Sequence, residues 1–389
     1  MRLVAIGFYR AGLGLTRVMD SVLRRLAERH EIHFLGVAYS GEIVRDRGLT
    51  IYPTNPKGGD AFAAFQAVSL FDELRPAVVL VMHDIWMFDY YLDVFGPYRD
   101  RVKIVACIPL DGRITKEELA APLVQADRIV AYTHFARAEF EGAFRRLRGD
   151  FPAVEVIPHG VDRDRFRPLP DRAEAKSRVF GDGPAGESSF VVLNASRPDK
   201  RKRVDLTVRG FAEFAADKPP NVRLCLHHPV MGEAAGQELE PVLRECGLGE
   251  RLSVNPLGSQ IVGDDELNLL YNACDVGINT AMGEGWGLVS FEHGAAGAAQ
   301  IVPDHTACGE LWRGSAELIP PARSYVPEFS PLEMGEVSPE GVAAALEALY
   351  RDPGRRQELA RAAVSVAQNP AYSWDAVARQ FDELFVRLA

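Results

Sequence analysis

Short, unbroken apolar runs that alternate with amphipathic stretches constrain this chain more than any other feature. In the first half the runs are RLVAIGF (2–8), EIHFLGVAY (31–39), AVVLVM (77–82), VKIVACIP (102–109), RIVAYT (128–133) and VEVIP (154–158). A strand with one wetted face alternates apolar and polar residues, whereas a parallel strand covered on both faces reads as a continuous apolar run. Between the first two runs, Leu15, Val18, Met19, Val22, Leu23 and Leu26 recur at i, i+3, i+4 spacing, which predicts a helix packed on a sheet. The repeated strand–helix order predicts a doubly wound α/β domain.

The rhythm breaks once, at DRFRPLPDRAEAKSRVFGDGPAGES (164–188), a stretch rich in proline, glycine and charge. It reads as a linker with a surface segment. The alternation then resumes with FVVLNAS, VRLCLHH, LSVNP, DVGIN, QIVP and AELIP. A chain of 389 residues also exceeds what one core usually serves. The expected organisation is therefore a first α/β domain over 1–165, a linker over 166–188, a second α/β domain over 189–370 and a terminal helix over 371–389. That helix carries Trp374, Val377, Phe381, Leu384 and Phe385 at helical spacing. Two such Rossmann-like sheets leave a crevice beyond the carboxyl ends of their strands, where one substrate per domain is expected.

Composition narrows the partners. A formal net charge of −10 argues against broad phosphate-backbone binding, so no nucleic-acid partner is expected. RRLRG at 145–149 is the kind of cluster that usually caps a solvated helix end. No run approaches the roughly 20 apolar residues of a membrane span. The acidic balance disfavours tight attachment to an anionic membrane, while a local patch leaves peripheral contact open. The five cysteines form no CxxC pair, and several sit in apolar runs, which suits a reduced, cytoplasmic compartment.

Two segments carry candidate chemistry. In LNASRPDKRKRVDLTVRGFAEF (193–214), a strand ends near Ala195, and Arg197 and Lys202 follow five residues apart, just before a helix. Cations beside a helix N-terminus make an anion site, and a diphosphate would suit it. Four consecutive basic residues, Lys200 to Arg203, also fit a merely solvated loop. In GEGWGLVSFEHG (283–294), glycines at 283, 285 and 287 permit unusual backbone and close ligand approach. The amides of Gly287, Leu288 and Val289 would point from a helix start toward an anion. Glu284 on the loop and Glu292 in the helix could each accept from paired sugar hydroxyls. Complementing the helix dipole would explain one of these acids, less well both.

Taken together these segments resemble the retaining nucleotide-sugar glycosyltransferases of family 4, which have the GT-B fold of two Rossmann-like, doubly wound parallel-sheet domains facing a central cleft. GEGWGLVSFEHG is similar to that family's E-x7-E motif, RPDKRK keeps its Arg-x4-Lys spacing, and VIPHGVD, LLYNACDVGIN and YSWDAVARQF resemble further stretches in the same order. The resemblance implies that Glu284 faces the donor sugar and that the backbone of Gly285, Trp286 and Gly287 contacts it. It implies that Glu292 binds the ribose, that Arg197 and Lys202 hold the departing diphosphate, and that Gly12 and Gly14 in RAGLGLTRV approach the phosphates. The terminal helix would cross back to the first domain. A GDP- or UDP-linked hexose would be the donor substrate, with no further cofactor and no metal. The acceptor would be a sugar, lipid, natural product or protein.

The pattern also has departures. Where the family often has a histidine after the fifth strand of the first domain, this chain reads VACIPLDGRI, so Asp111 or a backbone group serves in its place, or nothing does. His83 and Asp84 end the preceding strand and are expected to face the cleft, His83 either orienting an acceptor or serving structure. His159 stands where the family commonly has asparagine, and Arg203 replaces a common glycine. Asp162-Arg163-Asp164 is a formal DxD but belongs to a turn. The aromatic run Trp86, Phe88, Tyr90, Tyr91, Phe95 and Tyr98 reads as helix core in preference to a sugar platform. A glycoside hydrolase using Glu284 and Glu292, a sugar-nucleotide epimerase and a non-catalytic nucleotide-sugar binding protein are the competing functions. An NAD oxidoreductase lacks support, because GFYRAGLG is not G-x-G-x-x-G.

Overall fold

The strand that organises the first half is β1 (Arg2–Phe8), whose residues Leu3, Val4, Ala5 and Ile6 are all buried, so neither face can be polar. The computed structural model describes residues 1–181, 188–228, 239–259 and 261–389, and it divides into two units, Met1–Gly160 with Pro370–Ala389, and Val161–Asn369. In the first unit β1 pairs in parallel with β2 (Glu31–Val37) on one side. Beyond β2 lie β3 (Val44–Asp46) and β4 (Leu49–Pro53). On its other side β1 meets β5 (Val78–Met82), followed by β6 (Lys103–Cys107), β7 (Arg128–Ala131) and β8 (Val154–Val156), giving the order β3-β4-β2-β1-β5-β6-β7-β8. Only β3 runs antiparallel, as an exposed three-residue edge strand. Sequence reading missed β3 and β4, because their segment is charged and glycine-bearing.

The helix Gly14–Leu26 buries Val18, Met19, Val22, Leu23 and Leu26, the predicted stripe. Pro370–Ala389 belongs to this unit, and its helix Trp374–Leu388 buries Trp374, Val377, Phe381, Leu384 and Phe385. Its buried Asp382 accepts from Arg29 and lies 2.6 Å from His30 Nε2. A Cβ on Gly160 would come within 2.6 Å of the Trp374 ring, so only glycine lets the chain pass there.

The second unit carries β9 (Phe190–Asn194), β10 (Val222–Leu226), β11 (Leu252–Val254), β12 (Val276–Ile278), β13 (Ala299–Pro303) and β14 (Glu317–Ile319), in the order β11-β10-β9-β12-β13-β14 and all parallel. A separate antiparallel pair joins β15 (Arg323–Tyr325) and β16 (Met334–Glu336). Side chains alternate across β9, as strand geometry requires. Phe190 and Val192 enter a core with Phe211 and Phe214 of the helix Val204–Ala215 and with Leu346 and Leu349 of Pro339–Arg351. Val191 and Leu193 enter the opposite core with Val179 of Arg172–Phe180 and Leu270 and Tyr271 of Asp264–Ala273.

The expected linker therefore needs correcting. Phe166, Ala175 and Val179 lie in the core of the second unit, and Lys176 Nζ sits 2.7 Å from Asp275 Oδ2. Proline and charge in 164–180 mark turns and an ion pair on an integral helix; residues 182–187 of that stretch lie outside the described residues. Among the described residues no helix is long and apolar enough to cross a membrane.

Candidate active site

Glu284 and Lys202, 82 residues apart in sequence, meet in the second unit: Lys202 Nζ donates to Glu284 Oε1 at 2.5 Å. Strand ends put them there. Lys202 lies on the loop leaving β9, and Glu284 on the loop leaving the neighbouring β12. A buried polar chain ties the two loops. Asn194 Nδ2 donates to Thr207 Oγ1 at 2.8 Å, Thr207 Oγ1 lies 2.9 Å from Thr280 Oγ1, and Thr280 Oγ1 donates to the Arg203 carbonyl at 2.8 Å.

Glu284 is only 5% exposed, yet it is ionised. Burial by itself would push its carboxyl pKa up, but the charges of Lys202 and Arg201 and hydrogen bonds from Lys202 and Asn279 outweigh it and hold the value at about 2. Arg201 Nη1 lies 3.3 Å from Glu284 Oε2 and also donates to the Gly283 carbonyl. Asn279 Nδ2 donates to Oε1 at 3.0 Å, and the Glu284 amide donates to Thr306 Oγ1 at 3.1 Å. Sequence reading missed Arg201 and Asn279. One sits in a basic run that resembles a solvated loop, and the other looks like the end of a strand.

The remaining residues of the motif are placed differently. Gly287 has φ +93° at the start of the helix Leu288–Ala295, so the turn into that helix is left-handed. The amides of Gly287, Leu288 and Val289 thus stand at a helix N-terminus. Trp286 turns its side chain into the core, stacked on Phe291 at 4.8 Å, which leaves its backbone and that of Gly285 for any ligand contact. Glu292 is 5% exposed and accepts from Tyr271 OH at 3.2 Å. Arg197 stays apart from the Lys202–Glu284 pair, with about half of its side chain exposed and its guanidinium 3.6 Å from Asp199. Arg203 has φ +45°, which shows why glycine suits that position, and it is held by bonds to Asp205 and Glu336.

In the first unit, Gly12 (φ +80°) and Gly14 follow β1, His83 follows β5 and Asp111 lies beyond β6, all at the carboxyl end of one parallel sheet. His83 is 4% exposed and packs against Phe8 and Phe62 at ring distances of 5.1 and 5.6 Å. Its Nδ1 accepts from the Asp84 amide at 2.9 Å, which leaves the proton on Nε2, where no hydrogen-bond partner is present among the described residues. Burial lowers its pKa to about 4, so it is a neutral donor at pH 7. His159 is buried, its ring tilted at 46° to that of Tyr132 with the centroids 3.9 Å apart. Asp162 caps its own turn, accepting from the amides of Asp164 and Arg165, both at 3.2 Å. Of the aromatic run, Phe88, Tyr91 and Phe95 are core, while Trp86 is 42% exposed. Among the described residues no cluster of His, Cys, Asp and Glu is arranged to hold a metal.

With this geometry in place, comparison with known proteins is decisive for the family. Residues 115–381, well over half the chain, match the model described as Family 4 Glycosyltransferase in conflict systems. The chain belongs to glycosyltransferase family 4. This family 4 chain is 31% identical over 283 residues to a D-inositol 3-phosphate glycosyltransferase of Kineococcus radiotolerans, covering 71% of the chain and 60% of that relative. It thus spans less than two thirds of the length of such relatives. Among solved structures it is similar to sucrose-phosphate synthase of Thermosynechococcus elongatus, with a TM-score of 0.77 at 16% identity over 100% of this chain and 99% of that one. It is also similar to Anabaena HepE in complex with UDP-glucose, with a TM-score of 0.72 at 16% identity over the whole of both chains. At that identity the structures establish the fold, a GT-B arrangement of α/β units with parallel sheets.

Proposed function

We propose that this family 4 chain transfers a hexose from a GDP- or UDP-linked donor to an acceptor hydroxyl, with anomeric configuration retained and without a metal. The observation that carries the reading is the Glu284 carboxylate, buried and ionised, with Lys202 and Arg201 on it at the start of a glycine-led helix. In the proposed reaction the bond from the sugar's anomeric carbon to the diphosphate breaks, and the acceptor oxygen bonds to that carbon on the same face. The acceptor proton goes to the departing phosphate oxygen. Negative charge grows on the diphosphate, where Lys202, Arg197 and the amides of Gly287, Leu288 and Val289 would stabilise it. Glu284 would accept from donor-sugar hydroxyls, Glu292 from the ribose, and Gly12 and Gly14 would let the first unit's backbone approach the phosphates. His83, as a neutral Nε2–H donor, or Asp111 would orient the acceptor.

A glycoside hydrolase needs a carboxylic acid with a raised pKa to protonate its leaving group. Glu284 is shifted the other way, to about 2, and so is unsuited to that acid's role. The reading is tested by thermal stabilisation with UDP, GDP, UDP-glucose and GDP-mannose in EDTA, with NAD as control. A ligand that binds only the native state raises Tm. A shift with one nucleotide but not NAD supports the proposal and names the base; no shift with any nucleotide overturns it.

A further inference from the structure

Glu284 is compensated by two cations of different character. The family resemblance assigns Lys202 to the diphosphate, and a lysine ammonium is a compact point charge on a flexible stem, free to follow a stronger anion. Arg201 is held in place instead, because its Nη1 donates both to the Gly283 carbonyl, one residue before the glutamate, and to Glu284 Oε2 at 3.3 Å. The Arg201 carbonyl in turn accepts from the Met282 amide at 2.8 Å, so both ends of the residue are bound to the loop that carries Glu284. The other groups facing Glu284 are the Asn279 amide, Thr306, the buried His305 and the buried Cys308. Burial lowers His305 to about 4 and raises the Cys308 thiol, so both are neutral at pH 7 and neither can replace a cation.

We propose that Arg201 is a positioning residue that keeps the Glu284 carboxylate ionised and aimed at the donor sugar while Lys202 is engaged by the diphosphate, an inference that rests on the transferase reading above. Without Arg201, a nucleotide that draws Lys202 away would leave a carboxylate that is 5% exposed among neutral neighbours, and burial would then favour its protonated form. A protonated carboxyl gives up an acceptor site and its negative charge, and so holds sugar hydroxyls less strongly. The basic run Lys200–Arg203 thus divides its work. Lys202 is the cation the donor can share, and Arg201 the one it leaves in place.

The test uses the full chain as wild type, Arg201→Ala and Arg201→Lys. Release of UDP from UDP-glucose or GDP from GDP-mannose is followed from pH 4.5 to 8, with UDP and GDP affinity measured by calorimetry. The expected result for Arg201→Ala is nucleoside-diphosphate affinity within about threefold of wild type and kcat lower by about 10- to 100-fold near pH 6, with the loss shrinking toward pH 8 because an acid limb that lies below this range in wild type has moved into it, and with Arg201→Lys restoring most of the loss. An unmoved acid limb, or affinity lost as much as turnover, overturns the proposal. A wild type that binds neither UDP nor GDP overturns the transferase reading instead, and melting without ligand then decides the link between Arg201 and Glu284. Because the folded Glu284 pKa lies below its unfolded value of 4.5, the stability it contributes is present above pH 4.5 and fades as pH falls toward 2. The Tm gap between wild type and Arg201→Ala should therefore narrow with acidification; a gap independent of pH would mean lost packing only.

Discussion

The ammonium of Lys202 and the carboxylate of Glu284 sit 2.5 Å apart although 82 residues separate them, and both side chains are largely buried. The contact joins the loops that leave the adjacent strands β9 and β12. A charge pair withdrawn from water in this way is costly to break from one side, about 3–5 kcal/mol where burial is complete and less here, where Lys202 keeps 14% of its side-chain exposure.

Glu284→Gln should separate sugar handling from nucleotide binding. It keeps the shape but frees Lys202, so UDP or GDP should bind as tightly as to wild type or more so. Turnover of the nucleotide sugar should fall by about 100-fold or more, as when a transition-state contact is removed. Calorimetry and product release on the same preparation check both halves.

Glu292→Ala should act on the nucleotide. Loss of a buried carboxylate acceptor for the ribose hydroxyls should weaken nucleoside-diphosphate binding by about 10- to 100-fold, the scale of a hydrogen bond to a charged group. Tyr271→Phe, which removes the hydroxyl that Glu292 accepts from, should cost less. Unchanged affinity in Glu292→Ala would reject the ribose assignment.

Gly287→Ala tests backbone conformation in isolation. The nearest atoms to an added Cβ are Cys308 Sγ and Glu284 Cγ, both at 4.0 Å, so space is available. The left-handed φ of +93° is what an L-residue resists, at roughly 1–2 kcal/mol. Differential scanning calorimetry should show Tm lowered by a few degrees, with weaker UDP or GDP binding as the helix amides turn away.

Acid should destabilise the protein through its buried histidines. His83 and His305 have pKa values lowered to about 4, and His159 and His293 to about 3, in each case chiefly by burial. Their unfolded value is 6.5, so below it the unfolded chain binds more protons than the folded one. Stability is then lost as pH falls from 6.5 toward 4, by up to about 1.4 kcal/mol per pH unit for each histidine. Melting curves between pH 7 and 4.5 should show that decline, and His159→Asn should flatten it.

Much of the fold was legible because burial on two faces leaves a mark in one dimension. The runs at 2–8, 77–82 and 190–196 had to be internal parallel strands, and the stripe from Val18 to Leu26 had to face a sheet. The exposed edge strand β3 left no such mark, and neither did the helix Arg172–Phe180, whose few apolar contacts are hidden among arginines and prolines.

The sequence by itself determined the two sets of strands, the paired glutamates around a glycine turn and the Arg-x4-Lys spacing that point to family 4. Only tertiary structure decided which cations of the Arg197–Arg203 segment turn to Glu284. Lys202 and Arg201 turn to Glu284, Arg203 turns to Asp205 and Glu336, and Arg197 remains half in solvent. Neighbours in a loop share composition but not direction. Where each side chain points depends on backbone angles such as the +45° φ of Arg203, and on partners brought from more than 80 residues away by the pairing of β9 with β12.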